Sequence, residues 1–134
     1  MINLAKLTAV LALSGSVITF ATVSSFAGAK YYEFQLVNGE TKQGDGAIIS
    51  VRLIDKRTNK PVPDAVIFQT RLDMSPEGME TMTTPVTASP VTEPGVYGFK
   101  ANIAMAGGWQ LSLAAKVQGE TETVQGKLVL KAKP

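Results

Sequence analysis

The chain has neither cysteine nor histidine anywhere in its 134 residues. Without thiolate or imidazole ligands it cannot build a structural or catalytic zinc site of the usual kind. Nucleophilic catalysis by a Ser-His or Cys-His pair is excluded by the same absence. Stability owes nothing to disulfides. Convincing helical periodicity is also missing. Apart from one N-terminal apolar segment, the apolar residues come in short alternating runs separated by Gly, Pro, Asn and Asp, which is the pattern of strands and turns.

The N-terminal segment reads as an export signal. Lys6 provides a positive start, Leu7 to Phe20 is apolar apart from small Ser, Thr and Gly, and Ala27-x-Ala29 follows, a small-x-small pattern suited to signal peptidase. Cleavage is expected after Ala29, with Ala27 as the near alternative. Leu4 to Ala27 is also long enough to cross a bilayer, so a retained anchor is the third option. A lipoprotein is excluded because the segment has no cysteine. The expected division is therefore a signal peptide, residues 1–29, and one domain, residues 30–134, in the periplasm or secreted. Membrane contact is expected only through the signal segment before cleavage. Without Lys6 the remainder has twelve basic and eleven acidic residues. Near-neutral and lacking a basic cluster, it is not expected to bind nucleic acid.

Seven strands are expected. The first alternates Tyr32, Phe34 and Leu36. The second, about Ala47 to Asp55, puts Ile49, Val51 and Leu53 on one face. The third runs from Val66 to Met74 with Val66, Phe68, Thr70, Leu72 and Met74 inward. A polar edge strand lies within Val86 to Thr92, interrupted by Pro90. Glu93-Pro94-Gly95 suits a type II turn. The fifth strand carries Tyr97, Phe99, Ala101, Ile103 and Met105 inward, the sixth Trp109, Leu111, Leu113, Ala115 and Val117, and the last Val124, Leu128 and Leu130. Seven strands at this spacing predict an all-β, immunoglobulin-like antiparallel sandwich.

The unusual stretch is Asp73 to Pro85. Three of the five methionines, Met74, Met79 and Met82, occur there, in a segment broken by Pro76, Gly78 and Pro85. If every connection reverses the chain, the ends of strands one, three and five share a pole. That brings the third-strand loop to the turn carrying Met105 and leading into Trp109. Four thioethers and an indole then meet at one end. Soft sulfur selects soft ions, of which copper(I) is the biologically common one, with Trp109 in support. Calcium and magnesium prefer oxygen. The packing alternative is equally concrete: Met74 and Met105 as core caps, Met79 and Met82 as a lid, and Trp109 as the central core aromatic. Asp73, Glu77 and Glu80 then are solvated loop carboxylates.

The order Asp73-Met74-Ser75-Pro76-Glu77-Gly78-Met79, then Pro94-Gly95-Val96-Tyr97, then Met105-Ala106-Gly107-Gly108-Trp109-Gln110-Leu111 resembles the YtkA-like and FixH-like small exported β-sandwich domains. The resemblance extends over roughly Val51 to Leu130. It implies a non-catalytic periplasmic domain concerned with copper handling, metal efflux or cytochrome-oxidase assembly, and a membrane transporter or oxidase-assembly protein as partner. Carried over by position, the family's loop methionines fall on Met74, Met79 and Met82, and its Met-Gly-Trp turn on Met105, Gly108 and Trp109. Many relatives place a histidine among these methionines. Here Glu77 and Glu80 stand in that loop instead, a departure that disfavours copper(II). A methionine-capped pole that docks onto a membrane partner without metal is the alternative function.

Overall fold

The computed structural model describes residues 29–134; the expected signal segment, apart from Ala29, lies outside the described residues. Among the described residues no helix is long and apolar enough to cross a membrane. The chain forms the expected all-β sandwich. Ten strands are present among the described residues: β1 (Tyr32–Leu36), β2 (Glu40–Lys42), β3 (Gly44–Asp55), β4 (Lys60–Pro61), β5 (Val66–Met74), β6 (Met79–Thr84), β7 (Val86–Ser89), β8 (Val96–Ile103), β9 (Gly107–Lys116) and β10 (Thr123–Lys133). One sheet has the order β1-β3-β8-β7 with β4 also on β3, and the other β2-β10-β9-β5-β6. The seven expected strands are β1, β3, β5, β7, β8, β9 and β10.

The three additional strands occupy stretches whose composition reads as loop. β2 lies in the polar Glu40–Gly46 segment and pairs parallel with β10. β4 sits among the prolines of the β3–β5 connection and pairs with the end of β3. β6 lies inside the methionine-rich segment. All are short and at sheet edges or ends, where a strand can form from backbone pairing with little apolar alternation. On both sides of the sandwich the chain passes directly from one sheet to the other, from β2 into β3 and, at Pro85, from β6 into β7. Thr84 Oγ1 donates to the Asn102 carbonyl at 2.8 Å beside that second crossing.

The core follows the alternation for β1, β3, β8 and β9. Phe34, Ile49, Val51, Leu53, Phe99, Ile103, Trp109, Leu111 and Leu113 are all buried. β5 departs from it. Ile67 is opposite Ala115 and Gln69 is opposite Ala114, so Phe68 is an inserted bulge residue. The bulge reverses the side-chain phase of the first half of the strand. Val66 and Phe68, expected inward, are 63% and 53% exposed, and Ile67 packs against the core in their place. Leu72 and Met74, beyond the bulge, keep the expected phase. At the fifth expected strand, β8 stops at Ile103. Met105, expected inward, is 38% exposed, because the chain has already turned toward β9.

Gly126 is inward on β10 for a packing reason. A Cβ there would stand 2.7 Å from Phe34 Cδ2, so the Phe34 ring uses the space a side chain would take. Gly126→Ala is expected to cost about 1–3 kcal/mol through overpacking, measured as a lower urea midpoint at unchanged m-value. Phe34→Leu, which shortens the opposing side chain, should recover part of the loss in the double variant.

The pole at which the described chain begins is closed by polar and aromatic contacts. Arg57 stacks over the rings of Tyr31 and Tyr32, 4.5 and 5.5 Å from their centroids. It also pairs with Asp55 at 3.0 Å. The Tyr32 hydroxyl donates to Glu120 at 2.7 Å. Burial and the Glu120 carboxylate push the Tyr32 phenol up to about 12. The methionines lie at the opposite pole.

Candidate functional site

Strand direction places the ends of β1, β5 and β8 toward one pole, as the reversal argument requires. β5 ends there at Met74. A one-turn 3-10 segment, Ser75–Glu77, follows with Pro76 in its first turn. Gly78 closes it in the left-handed region at φ 77°, with its N–H donating to the Ser75 carbonyl at 2.8 Å. That conformation suits glycine, which has no Cβ to clash. The chain then returns as β6, with Met79 directly opposite Met74.

The hairpin is held by Asp73. Its carboxylate accepts hydrogen bonds from the Ser75 hydroxyl and from the Ser75 amide, the latter at 2.9 Å, and from Arg71 Nε at 2.8 Å. Arg71 Nη2 in turn donates to the Glu80 carbonyl at 2.7 Å across the hairpin. Asp73 is 3% exposed, so it is a buried structural carboxylate, not the solvated one expected. Burial pushes its pKa up, but the Ser75 hydroxyl and amide and the Arg71 guanidinium outweigh that and hold it below the ordinary aspartate value. Asp-x-Ser before a turn is an Asx-turn pattern, and that signal is readable in Asp73-Met74-Ser75-Pro76.

The β8–β9 turn docks against this hairpin. Glu77 Oε2 accepts the Gly108 N–H at 2.7 Å. The Met74 Cε and Glu77 Oε2 atoms both lie 3.2 Å from where a Cβ on Gly107 would stand. A Cβ on Gly108 would be 3.0 Å from the Pro76 Cβ. The two glycines thus allow a close approach, and Glu77 fastens it. Trp109 is 2% exposed, and its indole N–H donates to the Met105 carbonyl at 3.0 Å. The Met-x-x-Gly-Trp spacing therefore closes a turn: Trp109 anchors it in the core and fixes Met105 four residues earlier. The roles of Glu77 and the paired glycines are not signalled by composition, because a lone loop glutamate looks the same whether solvated or bonded to a distant amide.

The thioethers divide by exposure. Met74, 1% exposed, is a core residue, as its inward phase predicts. Met79 is half-buried and packs on the core. Met82 and Met105 are 36% and 38% exposed. Met82 lies in the β6 bulge between the pairs Asp73–Thr83 and Met74–Met79, on the edge strand. The structure brings Met74, Met79 and the Met105–Trp109 turn to one pole. Met82 is placed one bulge further along β6. Among the described residues no group of three Asp or Glu side chains is arranged to hold a cation.

A family model described as YtkA-like matches residues 26–114, which span the methionine hairpin and the Met105–Trp109 turn. No curated protein matches the chain. Among solved structures the chain is similar to the Lin-41 filamin domain, at 20% identity and a TM-score of 0.48, over 78% of this chain and 94% of that one. It is also similar to the ZirS C-terminal domain, at 11% identity and a TM-score of 0.46, over 95% of this chain and 88% of that one.

Proposed function

This chain belongs to the YtkA-like family, and on that premise we propose that it is an exported, non-enzymatic accessory domain that receives and releases copper(I) at its methionine pole. Met79, Met82 and Met105 are the donors, Met74 packs beneath them, and Trp109 holds the turn that carries Met105. The supporting observation is the joint between Glu77 and Gly108 at 2.7 Å, which fastens the Met79-bearing hairpin to the Met105-bearing turn. Two segments distant in sequence are thereby held at one end before any ligand arrives, and such preorganisation lowers the ordering cost of binding.

The donor chemistry fits a transient cargo. Thioethers are neutral and soft, so they favour copper(I) over hard cations, and without thiolate or imidazole they hold it weakly enough to pass on. A membrane metal transporter or an oxidase-assembly protein is the partner class that this role requires. In anaerobic competition with a weak copper(I) chelator, the protein should bind about one equivalent. Met79→Leu with Met82→Leu should abolish binding while keeping the apolar volume. Failure of the unaltered protein to compete would remove the metal role.

The exposure of Met82 and Met105 also favours a second reading, in which the pole is an adaptable apolar dock for that membrane partner. The leucine pair separates the two. A dock keeps its partner with leucine and loses it with alanine, whereas a copper site is lost with either.

A further inference from the structure

The outer face of the β2-β10-β9-β5-β6 sheet has a charge and shape that the methionine pole does not use. Arg71, Lys116, Lys127, Lys131, Lys133 and Lys42 all take its outward register positions. Asp73 and Glu40 share those positions and are already paired with Arg71 and Lys133 at 2.8 and 2.9 Å, and Glu80 lies in the β6 bulge of the same sheet. Six cations against three carboxylates on this sheet leave six cations and eight carboxylates on the rest of residues 29–134. A nearly neutral domain is therefore strongly polarised, with its positive side on one sheet face.

Within that face two rows are in register. Arg71, Ser112 and Lys127 are adjacent on β5, β9 and β10, and Gln69, Ala114 and Gln125 form the next row. Long side chains stand on the two outer strands and short ones on the central strand. The result is an open trough of about 470 Å³ with Ser112 and Ala114 in its floor. Ala114 is 5% exposed although it lies outside the core cluster, so the flanking side chains shelter it. Lys127 is exposed and makes no ion pair among the described residues. At one end of the trough the β5 bulge presents Phe68, 53% exposed.

We propose that this trough is a docking site for an extended acidic segment of a partner protein. Its carboxylates meet Lys127 and the free edge of the Arg71 guanidinium, and its backbone amides meet Gln69 and Gln125. Phe68 takes an apolar side chain of the same segment. Strands about 4.8 Å apart put the two walls roughly 10 Å from each other, the width of one extended chain. The recessed floor suits a chain laid along the strands and not a flat bilayer, which would touch only the rims. Complementary charge of this kind chiefly steers the encounter and sets partner choice, so the binding should weaken steeply with salt.

The test uses a fluorescein-labelled twelve-residue peptide of alternating glutamate and glycine, titrated at low ionic strength and followed by anisotropy and by amide chemical shifts. Saturable binding is expected, with shifts concentrated on β5, β9 and β10, and Lys127→Glu should weaken it by about tenfold or more. Lys100→Glu, exposed on the outer face of the other sheet, should change it less than about twofold. Equal loss in both variants would reduce the effect to net charge and overturn the proposal, as would the absence of saturation. Binding to phosphatidylglycerol vesicles without binding to the peptide would also overturn it, assigning the face to a membrane.

Discussion

Replacing Trp109 by alanine is expected to lower stability by about 3–5 kcal/mol, the range for removing a fully buried large aromatic. Three consequences of the position add up. The indole is 2% exposed at the start of β9, so its removal leaves a cavity that the two sheets cannot readily close. The Met105 carbonyl loses its partner. The β8–β9 turn, docked on the hairpin through Gly108, is released at its core side. For a domain of this size the loss corresponds to a drop of very roughly 15–30 °C in melting temperature. Trp109→Phe keeps most of the ring and loses the indole N–H, so it should cost less. A scan in which Trp109→Ala melts within a few degrees of the unaltered protein would contradict the core assignment.

The second large effect belongs to Asp73. Asp73→Ala is expected to cost about 3 kcal/mol, chiefly from leaving the half-buried donors of Ser75 without their acceptor, since Arg71 is 54% exposed on its side of the pair. It removes the acceptor for the Ser75 hydroxyl and amide and for Arg71 together. Asp73→Asn retains one acceptor oxygen but turns an amide toward the Arg71 donor, and it should cost about 1.5–3 kcal/mol. The pH dependence separates charge from shape. An unfolded aspartate ionises near pH 3.9, and the folded-state value of Asp73 is lower. Its contribution is therefore complete above roughly pH 4 and is lost as the pH falls through the folded value. Denaturant midpoints taken from pH 7 down to pH 2 should fall less steeply in Asp73→Asn than in the unaltered protein. Parallel curves would show that Asp73 is not the group responsible.

Much of this architecture is legible in the alternation of apolar residues, because strands buried on one face must repeat every two positions. β1, β8 and β9 obey that rule, as does β3 from Ala47 to Leu53, beyond its own bulge near Gly44. β5 does not, since one inserted residue at Phe68 shifts the phase, and nothing in a run of Val, Ile and Phe marks which residue is extra. The short strands β2, β4 and β6 are hidden for another reason: edge pairing needs backbone groups, not an apolar face. At the methionine pole, strand parity foretells the meeting of hairpin and turn. It does not foretell how deeply each thioether is buried, which depends on where β8 ends and on the bulge in β6. The contacts of Asp73 and Glu77 differ in reach: that of Asp73 is a local Asx turn readable in Asp73-Met74-Ser75, whereas that of Glu77 depends on a glycine amide 31 residues away.

The central claim is that Met79, Met82 and Met105 together receive copper(I), with Met74 remaining a packing residue. The most direct measurement labels the methionine methyl groups with carbon-13 and follows them during anaerobic addition of copper(I). The account predicts that the Met79, Met82 and Met105 methyl signals move together and stop at about one equivalent, while the Met74 methyl, enclosed against Gly107, shifts little. Methyl signals that stay in place, or that move independently with different stoichiometries, would contradict it.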